Sequence, residues 1–283
     1  MPSYDSSRAR FRLADRHIAV LAHLVDGETP PAELTESMGE LQRVGLVGEE
    51  GELAPVLREL LGTLANPLTM VQIEITGEHG PVDHGIVVGP EAVVSFDSWP
   101  GEDEAEYVPV EPGMLVWELS RKINLRRAEP DVELPEVTRI ETTMGTLDAV
   151  FVALNEAAAG GATGGDTEIR DLTRRAATGV DPALTGPALE QFLELVLALN
   201  STWRVTTVWD GRHEGERATM VRALAAWDCG PLGYWIREAP EEPIMPGQVT
   251  PESTLRVVRS TPGEIWDKLV DLLPDKEDLY LEG

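Results

Sequence analysis

The chain has 283 residues, 42% of them hydrophobic, and 50 acidic residues outnumber 23 basic ones to give a net charge of −27. Such a surface repels nucleic acid and anionic membranes. No run approaches the roughly 20 apolar residues of a membrane span, and one cysteine, Cys229, excludes both an internal disulfide framework and a cysteine-built zinc site.

The opening MPSYDSSRARFRLADRHIAVLAHLVDG carries charge and His17 inside its apolar stretch. It reads as an irregular leader followed by a helix, not as a secretory signal, and the expected compartment is the cytoplasm. Ile18, Leu21 and Val25 mark the inner face of that first helix. Leu34, Met38 and Leu41 mark a second, and Leu53, Leu57, Leu60 and Leu64 a third, which Pro67 ends. In LTMVQIEIT, Val71, Ile73 and Ile75 alternate with Gln72 and Glu74, the period-two pattern of a half-buried strand. GEHGPVDHG reads as a turn or loop, IVV and AVVSFDSW as strands, and YVPV as a short edge strand interrupted by Pro109.

The second half runs in parallel. Helices are expected over 146–158, 167–177 and 187–200. TWRVTTVWD then alternates as a strand, GRHEGER turns, and TMVRALAAW, YWIRE and TLRVVRS complete the sheet. The last helix opens on a capping box, with Thr261 as N-cap, Pro262 at the first helical position and Glu264 at the third. Hairpin-like turns in place of strand–helix–strand alternation predict a mostly antiparallel sheet.

At an offset of 134, Met38, Gly45 and Asn66 align with Leu172, Gly179 and Asn200, and at an offset of 150 PGMLVWEL (112–119) matches PGEIWDKL (262–269). The ordered matches imply an internal duplication: residues 1–129 as one copy, 130–137 as an acidic, proline-bracketed linker, and 138–283 as the second. The expected fold class is α+β, a quasi-twofold, mainly antiparallel sheet flanked by helical bundles and forming one compact domain.

Chemical motifs are sparse. The GGATGG segment (160–165) neither follows a strand nor carries the Lys-Ser/Thr of a P-loop, so it reads as a flexible loop. Glu78, His79, Asp83 and His84 crowd one turn, with His213 on the repeat-related turn, and their donors suit zinc. They lack a rigid helical pair, and the plainer reading is a solvated turn without metal. The acidic loop PGEDEAE (100–106) lacks the ligand spacing of an EF-hand. Asp97 and Asp228 each follow a strand and in principle form a carboxylate pair, although nothing in the sequence brings them together. Cys229 precedes Gly-Pro without a catalytic context, and the seven tryptophans read as core. No nucleophile elbow, zincin helix or dinucleotide fingerprint is present. The chain is not expected to be an enzyme, and no cofactor is implied.

Residues 17–55 also have the cadence of a winged helix, with a two-strand wing around GEEGE. A DNA-reading helix would present Arg, Lys, Asn or Gln; this one offers Glu33, Glu36 and Glu40.

The passages GLVGEEGELAPVLRELLGTLANPLTMVQIEI, LEQFLELVLALNSTWRVTTVW and TLRVVRSTPGEIWDKLVDLLP resemble the EspG family, the cytosolic chaperones of actinobacterial type VII (ESX) secretion systems. The helical opening departs from that family, which is better known for an early strand. The resemblance implies a quasi-twofold α+β fold that binds a helical PE/PPE-like substrate and covers its apolar tip until export. Partner contact is expected in the second half, at Gly160, Gly161, Gly164 and Gly165, at Arg212 and His213, and on the closing helix at Ile265, Trp266 and Leu269. Neither nucleic-acid binding nor membrane insertion is expected, and the protein itself would be a monomer or homodimer. Two other readings stand beside this one: a small-molecule-binding protein or enzyme using a cleft between the halves, and a winged-helix regulator.

Overall fold

The computed structural model describes residues 1–126, 136–159, 166–239 and 248–279. After a short strand β1 (Ser3–Asp5), a first series runs β2 (Arg10–Ala14), α1 (Asp15–Val25), α2 (Thr35–Arg43), α3 (Arg58–Ala65), β3 (Thr69–Gly77), β4 (Gly80–Val88), β5 (Val93–Asp97), β6 (Glu104–Val110) and α4 (Leu115–Lys122). A second runs β7 (Arg139–Thr143), α5 (Met144–Ala159), α6 (Asp166–Val180), α7 (Gly186–Leu197), β8 (Ser201–His213), β9 (Glu216–Asp228), β10 (Tyr234–Arg237), β11 (Thr254–Ser260) and α8 (Pro262–Leu272). Each series is thus a strand, three helices, four strands and a helix. Met38 and Leu172, aligned in sequence, fall on α2 and α6.

The strands form an eleven-stranded sheet in the order β1-β2-β6-β5-β4-β3-β8-β9-β10-β11-β7. Within each series the first strand lies beside the last, as β2-β6-β5-β4-β3 and β7-β11-β10-β9-β8. The fold class is α+β and mainly antiparallel, as the hairpin-like turns predict.

By contacts the chain divides into two compact units. One comprises Met1–Leu125, Arg204–Ala223 and Trp266–Gly283; the other comprises Arg126–Trp203 and Leu224–Ile265. The first has its core where Leu21, Leu41, Leu57 and Leu60 of the helical layer meet Phe11, Leu13, Val94 and Tyr107 of the sheet. In the second, Val150, Phe192, Leu193 and Val196 of α5 and α7 pack on Trp227, Trp235, Leu255 and Val257.

The leader is not irregular. In Arg10–Ala14, Phe11 and Leu13 are buried between half-exposed arginines, so the period is two and the segment is strand β2. β7 likewise precedes α5, so both series open on a strand rather than a helix. The expected GEHGPVDHG loop shrinks to Glu78 and His79, because β3 and β4 pair without interruption out to Gly77 and Gly80. β6 is not an edge strand, since it lies between β2 and β5. Pro109 is tolerated because pairing with β2 stops at Tyr107, leaving that stretch of β6 open on one side. Val25, expected inside, is 44% exposed; His17, Val20 and Leu21 face the core instead.

The α8 capping box is present. The Thr261 backbone N–H donates to Glu264 Oε2 at 2.8 Å, and the Glu264 N–H donates to Thr261 Oγ1 at 3.2 Å. The bridge between Val47 and Leu53 supplies the wing-like pairing around GEEGE.

Candidate functional site

The site is best built from what covers each face of the sheet in the first unit. Cross-strand register sets Val71 beside Ile86 and Ile86 beside Ser95; it also sets Ile73 beside His84 and His84 beside Asp97. Side chains in register share a face, and α4 covers this one. Ser95 donates to Glu118 at 3.1 Å, and the Lys122 ammonium, its side chain wholly buried, donates to Asp97 Oδ1 at 2.5 Å and to the Phe96 carbonyl at 3.1 Å. Burial pushes the Asp97 carboxyl up, but the hydrogen bonds and charges of Lys122 and Arg121 outweigh it and hold the group below the usual carboxylate range.

Trp117 of α4 meets Trp266 of α8 edge to face, so α8 lies over the same face. Below α8, Arg222 of β9 donates to the carbonyls of Asp271 and Leu273, pairs with Asp278 at 2.9 Å, and stacks over the Trp209 ring at 4.8 Å. Trp209 Nε1 donates to the Asp278 carbonyl. The close approach needs Gly211, where a Cβ would stand 2.9 Å from that same carbonyl oxygen and 2.6 Å from Met220 Cγ. Trp209 and Arg222 therefore point toward α8, along with the buried Val205 and Thr207 of β8.

The opposite face follows by alternation. It carries Met70, Gln72 and Glu74 of β3, Arg204, Thr206 and Val208 of β8, and Thr219, Val221 and Ala223 of β9. Met70 is in register with Val87, and Val87 with Val94, so this is the face on which the α1–α3 layer packs over β2, β6 and β5. At β3, β8 and β9 the side chains emerge: Met70 is 48% exposed and Val221 57%, with Gln72, Glu74, Arg204 and Thr219 also exposed. Arg204 and Glu74 have no ion-pair partner among the described residues. The surface has an apolar centre (Met70, Val208, Val221) and a polar rim, the anatomy of a protein-binding patch.

β8 and β9 are joined by Glu214 and Gly215, both with positive φ (53° and 89°), the backbone of a two-residue hairpin turn. A two-residue turn sets Val208 opposite Val221. Arg212 and His213 lie exposed at the tip of the same hairpin, which Arg217 and Asp210 brace with an ion pair at 2.6 Å. Of the other expected contact residues, Ile265 and Leu269 are fully buried and serve as core under α8, so they offer no contact surface. Trp266 is half-buried against Trp117, which is itself 38% exposed. Gly160, Gly161, Gly164 and Gly165 lie outside the described residues. Met70, Val208 and Val221 escape a sequence reading because alternation shows that a strand has two faces, not which one is left uncovered.

Both carboxylates considered as a catalytic pair are engaged in ion pairs. Asp97 is held by Lys122 and Arg121, and Asp228 pairs with Arg126 while accepting the Gly230 N–H at 2.9 Å. His84 lies 3.2 Å from Asp97 across β4 and β5. Among the described residues no three His, Cys, Asp or Glu side chains gather to hold a metal ion. Burial pushes the Cys229 thiol up to about 12. Four tryptophans (203, 209, 227 and 235) are core, whereas Trp99 is 41% exposed. No helix among the described residues is long and apolar enough to cross a membrane.

No family model matches the sequence, and no curated protein does. Among solved structures, the chain is similar to the type VII secretion system chaperone EspG5 of Mycobacterium tuberculosis, whose structure is of a complex with the PE25–PPE41 dimer. The likeness has a TM-score of 0.55 at 11% identity and covers 96% of this chain and 100% of that one. At that identity the likeness is one of architecture: the chain has the fold of the EspG5 chaperone.

Proposed function

We propose that the chain is a non-enzymatic, cytoplasmic chaperone of the EspG family, which binds a helical PE/PPE-like secretion substrate and covers its apolar tip before export. The observation that carries this reading is the uncovered face of β3, β8 and β9, on a chain whose fold matches a chaperone solved with such a dimer. The apolar centre formed by Met70, Val208 and Val221 suits the apolar stripe of a docked helix. Gln72, Glu74 and Arg204 around it set orientation, and the acidic body keeps the complex soluble. Arg212 and His213, at the tip of the same hairpin, extend the contact surface. The same reading takes 1–129 and 138–283 as two copies of one unit joined through 130–137.

The test is co-expression with PE–PPE pairs encoded in the same genome, followed by size-exclusion chromatography. Co-elution of an equimolar ternary complex with one pair supports the reading. Elution of the chain free of every pair, with the pairs themselves soluble, overturns it.

A further inference from the structure

Beside the rim of the open face, where Asp83 stands in register with Glu74, the first unit holds a cleft of about 640 Å³ between the start of α1, the start of β4, the 98–103 loop and the first residues of β6. Five carboxylates line it: Asp15, Asp83, Glu102, Asp103 and Glu104. The chain answers some of them itself. Arg12 pairs with Glu102 and Glu104, and Arg16 reaches Asp103 at 3.7 Å. Asp15 and Asp83 have no cation partner among the described residues. Trp99, on the wall, is 41% exposed, and the Arg12 guanidinium already stands 6.0 Å over its ring.

The cleft has a second feature, independent of its charge. Tyr107 lines it, is only 7% exposed, and its hydroxyl has no hydrogen-bond partner among the described residues. The ring is buried, but the hydroxyl oxygen is not sealed from solvent, so it can bond a ligand that enters the cleft. Its pKa is pushed up to about 12, by burial and then by the negative charge of Asp15, which also lines the cleft.

We infer that this cleft binds an organic cation, a guanidinium or ammonium group on an apolar stem. The stem would lie against Trp99, the charge between Asp15 and Asp83, and the Tyr107 hydroxyl would accept a hydrogen bond from the cationic N–H. Carboxylates, an aromatic face and a lone acceptor together select charge, planarity and a donor. The cation comes either from a free small amine or from an arginine or lysine side chain of a polypeptide.

Isothermal titration of the full chain at low ionic strength separates these sources. The probes are agmatine, a capped Gly-Gly-Arg-Gly-Gly peptide and its citrulline counterpart. Saturable binding with Kd of about 1 mM or tighter is expected for at least one cationic probe and not for citrulline. Agmatine alone binding identifies a free-amine site, and tighter peptide binding identifies a side-chain site. The D15N/D83N double variant should weaken binding at least about tenfold, the scale of a charge-assisted hydrogen bond. Tyr107→Phe should weaken it by about threefold with Tm unchanged, since that hydroxyl supports nothing in the free protein. No saturable binding of either cationic probe, equal binding of citrulline, or unchanged affinity in D15N/D83N overturns the inference.

Discussion

The ring centroids of Trp117 and Trp266 are 4.6 Å apart with planes inclined at 64°. This contact joins the closing helices α4 and α8 on the face opposite the open surface of β3, β8 and β9. An edge-to-face pair contributes about 1 kcal/mol beyond the area it buries. A double-mutant cycle of Trp117→Leu and Trp266→Leu, read by urea unfolding, should give a coupling energy of that size. Additive single-variant effects would mean that the helices are placed by their other contacts.

Val221, 57% exposed, is more exposed than Met70, the other large exposed apolar side chain of the open face. Val221→Asp should leave Tm unchanged, because a surface substitution away from packed features costs within about 0.5 kcal/mol. Its effect on partner binding should be large, a loss of about thirtyfold in affinity or more, since a carboxylate would be forced into an apolar contact. An unchanged affinity would move the interface off this face.

The buried ion pair behind that face should respond unequally to truncation. Lys122 has a wholly buried side chain, while Asp97 keeps 20% side-chain exposure and a second cation, Arg121, at 3.0 Å. Asp97→Ala leaves Lys122 with only Glu118, at 3.6 Å, as a charged partner and should cost about 3 kcal/mol, as breaking a buried pair does. Lys122→Met leaves Asp97 partnered and hydrated and should cost about 1 kcal/mol or less. Denaturant titrations of both variants check the order; the reverse order would show that Asp97, not Lys122, is the group in need of a partner.

Acid should weaken the α1–α2 contact. The Ala14 N–H donates to His17 Nδ1 at 2.9 Å, so the ring proton sits on Nε2 and is donated to Glu40 at 2.8 Å. That hydrogen bond, chiefly, holds the Glu40 carboxyl below its ordinary value. A carboxyl with a depressed native pKa stabilises the fold above its unfolded value, about 4.3, and loses that contribution as pH falls through the native one. The Tm difference between the native chain and Glu40→Gln should therefore be present at pH 7, begin to shrink as pH falls below about 4.3, and vanish only once the pH is below the depressed native pKa of Glu40. Comparing the two chains cancels the opposing relief of repulsion among the other carboxylates. A difference that persists or grows in acid would contradict the assignment.

Sequence patterning alone determined the strands with one covered face, such as β3 and β8, because burial on one side imposes a period of two. It also determined the α8 cap, whose partners are three residues apart, and the net acidity of the chain. The leader misread as irregular shows the limit: in Arg10–Ala14 the arginines mask a two-residue period that becomes visible only once Phe11 and Leu13 are seen packed under the helices. Ile265 and Leu269 show the same limit from the other side, since an apolar helix stripe looks alike whether it meets a core or a partner. Only tertiary structure decided that Met70, Val208 and Val221 share one uncovered surface, that Lys122 reaches Asp97, and that Asp15, Asp83, Trp99 and Tyr107 line one cleft. These residues are brought together by strand pairing and helix placement between segments far apart in the chain, and local periodicity records how each segment folds but not what comes to rest against it.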